Sequence, residues 1–315
     1  MRFFFVLSGF LITGILLDAR ESARRGSVSY ATALARFYGR RAVRILPLYF
    51  LIVGVTWLLG MHATRQAIGS LVTFTYNLHL MQQGWWDEHM AHFWSLSVEQ
   101  QFYLVWPWPI LFMPRRFLWP TAVAMLGVGE LTRYWYVANQ DAGLGMWVSP
   151  LASADALGLG AVIALALRSV RTAAAVLERW PIGIATVIGL VGSWASSWWQ
   201  PPLAPFVGFG TELLHDGFQL VGFAGLIAGA ALGFHGAAGT ILSFRPLTYL
   251  GQISYGLYLY HPLMVPLAGT LLRSVNAPGA ALPTGIVLAL ALSLGTTMAS
   301  WHLFERPLNQ LRRCF

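Results

Sequence analysis

The run His92-Phe93-Trp94-Ser95-Leu96-Ser97-Val98-Glu99 sets an imidazole and a carboxylate seven residues apart. Seven residues are almost two helical turns, so on an unbroken helix His92 and Glu99 would project from one face with Ser95 between them. A carboxylate at the lip of a membrane helix is costly unless paired or hydrated, which makes Glu99 a functional candidate. The competing reading is an interfacial belt, with Trp85, Trp86, Trp94, Trp106 and Trp108 at headgroup depth and Glu99 reaching water. Arg41 and Arg44 form a second group. Three residues apart on a helix, they share a face and could clamp phosphates, or they could be ordinary positive-inside anchors. Asp155 lies in the small-residue run Ser153-Ala154-Asp155-Ala156-Leu157-Gly158-Leu159-Gly160-Ala161. Gly158 with Ala154 or Ala161 allows close helix approach, so Asp155 should face protein as a structural or a functional acid. Ser254, Tyr258 and His261 line one helical face and would make a polar stripe able to bind a hydroxylated ligand or to satisfy neighbouring helices. Glu305 is expected to pair with the arginine-rich tail. Glu88, His89 and His92 resemble a metal-ligating trio, but the HExxH helix spacing is absent and no metal is expected.

These side chains must be positioned by membrane helices. Hydrophobic residues make up 57% of the chain, charged residues only 10%, and there are 14 Trp, which excludes an ordinary soluble domain. Continuously apolar, non-alternating stretches imply helices rather than barrel strands. Spans are expected near 3–18, 45–60, 68–82, 100–114, 117–132, 150–168, 180–198, 217–234, 246–271 and 283–303. The fold class is therefore all-α, a polytopic helical membrane protein of about nine to ten transmembrane helices in one domain spanning 1–315. The net charge of +8 is carried by Arg alone, with no Lys. Arginines beside apolar spans read as topology signals and anionic-lipid contacts, so membrane lipids, not nucleic acid, are the expected partners. Arg20 through Arg44, Arg115 and Arg116, Arg168 to Arg179, Arg245, and Arg306 to Arg313 can all lie in the cytoplasm only if one early segment fails to cross. The short, polar stretch 68–82 is expected to be re-entrant or buried against other helices. A single Cys, Cys314, excludes a disulfide framework or cysteine metal site.

The segments FFVLSGFLIT, RRAVRILPLY, FWSLSVEQQFYLVWP, SADALGLGA, YLGQISYGLYLYHPL and FERP follow one another in this order. Together they resemble the acyltransferase 3 family, bacterial multispanning enzymes of the cytoplasmic membrane that O-acylate extracytoplasmic carbohydrates and some other acceptors. The likeness covers nearly the whole chain. It implies transfer of an acyl group, usually acetyl, from cytoplasmic acyl-CoA as co-substrate to a hydroxyl of an extracytoplasmic or lipid-linked glycan, with no bound cofactor. Under the resemblance Arg41 and Arg44 match an Arg-x-x-Arg motif that handles the acyl-CoA donor. Glu99 matches the acid of the serine-rich phrase, and His261 the late histidine of the tyrosine-rich one. A sugar hydroxyl is a poor nucleophile, so a histidine base oriented by a carboxylate is the expected device.

The sequence departs from the family in three places. Family members begin with a helix bearing a basic residue near its cytoplasmic end and a histidine near its outer end, and nothing before Phe4 supplies either. The chain therefore reads as N-terminally truncated relative to the family, through a misplaced start or a shortened gene, and the base is expected to be His92 or His261 as a substitute, or to lie on a first helix that the present start has lost. Ser153 stands where an Arg often precedes the acid matched by Asp155, which weakens the case for pairing as in relatives. Gln100 stands where many relatives carry a second Glu. Two other readings accompany the enzyme: a truncated, inactive acyltransferase body, and a solute transporter, for which no inverted repeat is visible.

Overall fold

The computed structural model describes residues 1–87, 89–139, 143–169, 179–198, 205–234, 236–274 and 282–311, and these contain helices and no strand. In chain order the helices are α1 (Arg2–Arg24), α2 (Tyr30–Leu58), α3 (His62–Gln66), α4 (Ile68–Val72), α5 (Tyr76–Gln83), α6 (Phe93–Val105), α7 (Pro107–Phe112) and α8 (Arg115–Ala138). They continue as α9 (Gly145–Val148), α10 (Ala154–Ser169), α11 (Arg179–Trp198), α12 (Pro205–Leu232), α13 (Gly236–Leu242), α14 (Arg245–Ser274), α15 (Leu282–Ser300) and α16 (Arg306–Gln310), with a π-helical turn, Trp301–Glu305, between the last two. Among the described residues three stretches, Arg2–Arg24, Tyr30–Leu58 and Pro283–Gln310, are long and apolar enough to cross a membrane. The residues fall into two compact units: Met1–Tyr30, Leu80–Trp85 and Ser97–His235 form one, and Ala31–His79, Trp86–Leu96 and Gly236–Phe315 the other.

In the first unit α1 buries Phe5, Gly9, Ile12, Leu16 and Arg20, a spacing of three or four residues that defines one helical face. Gly26, at φ +75°, ends the helix: its amide donates to Ala23 and that of Ser27 to Ser22, which satisfies carbonyls the helix leaves open. The buried face of α1 lies directly on α10. A Cβ on Gly9 would sit 2.1 Å from the Leu157 carbonyl oxygen, and one on Gly160 would sit 2.1 Å from that of Val6, so only glycine permits this approach. On α10, Gly158 meets Ala122 and Met125 of α8, while Gly129 of α8 leaves room for Asp155. The small residues around Asp155 therefore do what their pattern implied, and they place that carboxylate at 1% exposure.

Local sequence explains where the helices differ from the expected spans. The stretch 100–114 is interrupted because Pro107 lacks an amide and its ring clashes with a preceding turn, so α6 ends at Val105 and α7 is a separate short helix. The stretch 68–82 splits into α4 and α5 around Phe74, which has φ +54°. Neither piece, at 5 and 8 residues, reaches across a hydrocarbon core at about 1.5 Å per residue. In the second unit, α2 begins fifteen residues before the expected span at 45 and carries Arg36, Arg40, Arg41 and Arg44 on a continuous helix. The Tyr49 hydroxyl of α2 donates to Leu71 O at 2.8 Å, and that of Tyr255 on α14 donates to Ile45 O at 2.9 Å. Against α14, the π-helical turn buries Glu305, which accepts from Ser300 at 3.1 Å. Of the arginine-rich tail expected to pair with it, Arg306 makes no ion pair with Glu305, and Arg312 and Arg313 lie outside the described residues.

Candidate functional site

The second unit brings three of the expected residues together. His92 lies in the turn just before α6, so the helix on which it was to share a face with Glu99 begins one residue too late to include it. The Tyr258 hydroxyl, from α14, donates to His92 O at 2.7 Å and lies 2.6 Å from Ser95 Oγ. The His92 ring packs edge-on to Tyr258 at 5.4 Å between centroids and lies 6.0 Å from the ring of His261. Both His92 nitrogens are buried without a well-formed hydrogen bond. Burial, reinforced by the neighbouring His261 and opposed weakly by the Leu259 backbone, pushes the His92 imidazole down to about 3, so this ring is neutral at physiological pH.

His261 differs in a way that decides its tautomer. Its Nδ1 lies 2.9 Å from Tyr258 O and 3.1 Å from Leu257 O, and a carbonyl can only accept, so Nδ1 carries the proton. The Nε2 lone pair is then directed away from the helix backbone on an exposed residue. This arrangement suits a general base. Ser254, expected on the same stripe, is half-buried and donates to Gly251 O at 2.9 Å, so its hydroxyl is satisfied by its own helix.

Glu99 belongs to the first unit, where its Oε1 accepts from Ser8 at 2.6 Å and from the Tyr103 hydroxyl, the two hydroxyl oxygens lying 2.7 Å apart. The carboxyl group is thus held by two hydroxyl donors. Tyr103, one helical turn beyond Glu99 on α6, was not anticipated, although an i, i+4 spacing of Tyr and Glu in WSLSVEQQFY is legible once α6 is granted.

Asp155 sits in an ionic cluster that the chain assembles from four helices. Its Oδ2 accepts from Arg2 of α1 and from Arg133 of α8, the latter at 2.7 Å. Arg2 also meets Asp216 of α12 at 2.6 Å, and Arg133 meets Glu130 at 2.5 Å and donates to Ala152 O at 2.8 Å. Asp155 is paired after all, and the absence of Arg at 153 is made good by Arg133 and Arg2. Glu130 and Arg133, two opposite charges three residues apart inside an apolar run, carried a signal that the sequence reading passed over. Asp216 lies in α12 and Arg2 near the start of α1, and no local pattern joins them to Asp155.

Arg41 is half-buried with its guanidinium 6.0 Å from the centre of the Phe37 ring, and Arg44 is exposed one turn further along α2. Both remain on the accessible side of that helix, as phosphate-binding or anchoring arginines would. Glu88, one of the three residues of the considered metal trio, lies outside the described residues.

A sequence profile described as an acyltransferase domain, Acyl_transf_3, matches residues 1–302. The chain belongs to the acyltransferase 3 family. Among curated proteins, the chain is 25% identical to the peptidoglycan O-acetyltransferase OatA of Listeria monocytogenes over 98% of its own length and 50% of that protein. It is 25% identical to the O-acetyltransferase OatA of Staphylococcus aureus over 83% of its length and 45% of that relative. An uncharacterized protein of Haemophilus influenzae is 31% identical over 37% of this chain and 51% of its own. The chain therefore spans about half the length of the curated relatives it matches. No solved structure matches it.

Proposed function

We propose that this chain is the multi-pass, inner-membrane body of a bacterial O-acyltransferase, one acyltransferase 3-like domain. It would move an acetyl group from cytoplasmic acetyl-CoA to a hydroxyl of an extracytoplasmic or lipid-linked glycan. The observation that carries this reading is His261, whose Nδ1 proton is committed to backbone carbonyls and whose exposed Nε2 is left as a base. In the proposed reaction Nε2 accepts the proton of the acceptor hydroxyl as its oxygen bonds to the acyl carbon. The carbon–sulfur bond then breaks, and the proton passes to the departing CoA thiolate. His92 and Tyr258 pack against this imidazole and fix its surroundings. Arg41 and Arg44 take the donor phosphates, for which a guanidinium fork is well suited. The glycan class of the acceptor is supported by the Listeria relative, which is named for peptidoglycan.

The test is transfer of radiolabelled acetyl from acetyl-CoA into envelope glycans of cells expressing the chain with His261 or with His261→Gln, which keeps size and polarity but cannot act as a base. Label present with the first and reduced at least about 100-fold with the second supports the reading. Equal labelling, at equal protein in the membrane, refutes His261 as the base.

A further inference from the structure

Arg20 is only 7% exposed, yet among the described residues it meets no carboxylate. Its Nη1 donates to Ile110 O at 2.7 Å, and its Nε is buried with no partner. Other buried or half-buried arginines of this unit are paired: Arg2 and Arg133 with Asp155, and Arg168 with Asp18. Removing a guanidinium from water without a counter-ion costs several kcal/mol, which one neutral carbonyl does not offset. The surroundings add to the imbalance. A second guanidinium, that of Arg115, is drawn to this turn of α1 by its ion pair with Glu21, the residue after Arg20. Of the acids on this turn of α1, Glu21 is engaged by Arg115 at 2.6 Å and Arg25 at 3.1 Å, and Asp18 by Arg168. Arg115 also opens α8, a helix of 24 residues whose first amides have no acceptor within the helix and whose dipole favours an anion.

We propose that Arg20, Arg115 and the N-terminus of α8 form a binding site for a phosphate group, and that the missing counter-ion of Arg20 is that ligand. Phosphate fits because it offers several charged oxygens to a guanidinium fork and to helix-terminal amides together. Two sources share this chemistry: the phosphates of coenzyme A and the headgroup of an anionic phospholipid. The first rests on the acyltransferase reading above, and the second does not. Its residues belong to the first unit, whereas Arg41 and Arg44 belong to the second.

The experiment uses the full chain in nanodiscs. In discs of phosphatidylcholine, coenzyme A binding is titrated for the native sequence, Arg20→Gln and Arg115→Gln. In discs that also contain phosphatidylglycerol, retained lipid is counted by native mass spectrometry. A rise of about 10-fold or more in the Kd for coenzyme A with both variants places the nucleotide in the site. Loss of retained phosphatidylglycerol with coenzyme A binding unchanged assigns the lipid headgroup. Both outcomes support the phosphate site, and neither depends on acetyl transfer, so failure of the enzymatic reading is seen separately. If both arms are unchanged the proposal is overturned, and Arg20 serves only to cap the end of α7. Should Arg20→Gln fail to fold, the exposed Arg115→Gln decides alone: no change in either arm overturns the site.

Discussion

Replacing Gly9 by alanine tests whether the contact between α1 and α10 positions the polar side chains of the first unit. The new Cβ would lie 2.1 Å from Leu157 O, against an ordinary carbon–oxygen contact of about 3.4 Å, so the two backbones must part by about 1.3 Å. Both colliding groups are backbone, and no rotamer change relieves the clash. Overpacking of this kind costs about 1–3 kcal/mol, while Gly→Ala in a helix gains about 1 kcal/mol from backbone entropy. Gly14 lies on the same helix with nothing within 4 Å of an added Cβ, so Gly14→Ala receives the propensity gain without the clash. The difference between the two variants isolates the contact, and Gly9→Ala should be the less stable by about 1–3 kcal/mol in reversible detergent unfolding followed by Trp fluorescence. Separation of α1 also draws Ser8 from Glu99 and Arg2 from Asp155, so acetyl transfer by Gly9→Ala should fall further than that of Gly14→Ala. Equal stability of the two variants would show that α1 does not pack on α10 at this distance.

Asp155→Asn should destabilise the chain by about 3–5 kcal/mol, because it leaves Arg2 and Arg133 short of a buried counter-charge; the same unfolding assay reads this, and a change below about 1 kcal/mol would contradict the cluster. Arg41→Ala with Arg44→Ala should raise the KM for acetyl-CoA about 10-fold or more with membrane insertion intact, whereas an unchanged KM would leave these residues as topological anchors. His92, with a folded value of about 3 against an ordinary 6.5, favours the neutral ring. Its contribution to stability is therefore complete above about pH 6.5 and is lost as pH falls from there toward 3. Between pH 7 and pH 4.5 the native chain should lose more stability than His92→Gln, and parallel pH profiles would place the ring in water.

The parts legible in the sequence were those fixed by neighbours along the chain. Asp155 could be assigned to a protein-facing position because Gly158 lies within a turn of it, and His261 to a polar face with Tyr258 because three residues separate them on α14. The weak stretch 68–82 likewise announced itself by its polar residues, and it breaks at Phe74. What stayed hidden depends on chain entry and on distance. His92 was to share a helical face with Glu99, but α6 begins after it, and a one-residue shift in a helix start gives the two residues different partners. Ser254 had the right spacing, but a serine hydroxyl on a helix can turn back to its own carbonyl, and periodicity is blind to that choice. The partners of Asp155 come from positions 2 and 133, and those of Arg2 from 155 and 216, so only packing could reveal them. Buried charges in apolar helices must find counter-charges, so the charged residues left over in a sequence are best treated as a matching problem across all helices. Applied here, that matching would have paired Arg133 and Arg2 with the acids. It would also have left Arg20, which among the described residues is buried and meets no carboxylate, as the position from which to look for a ligand.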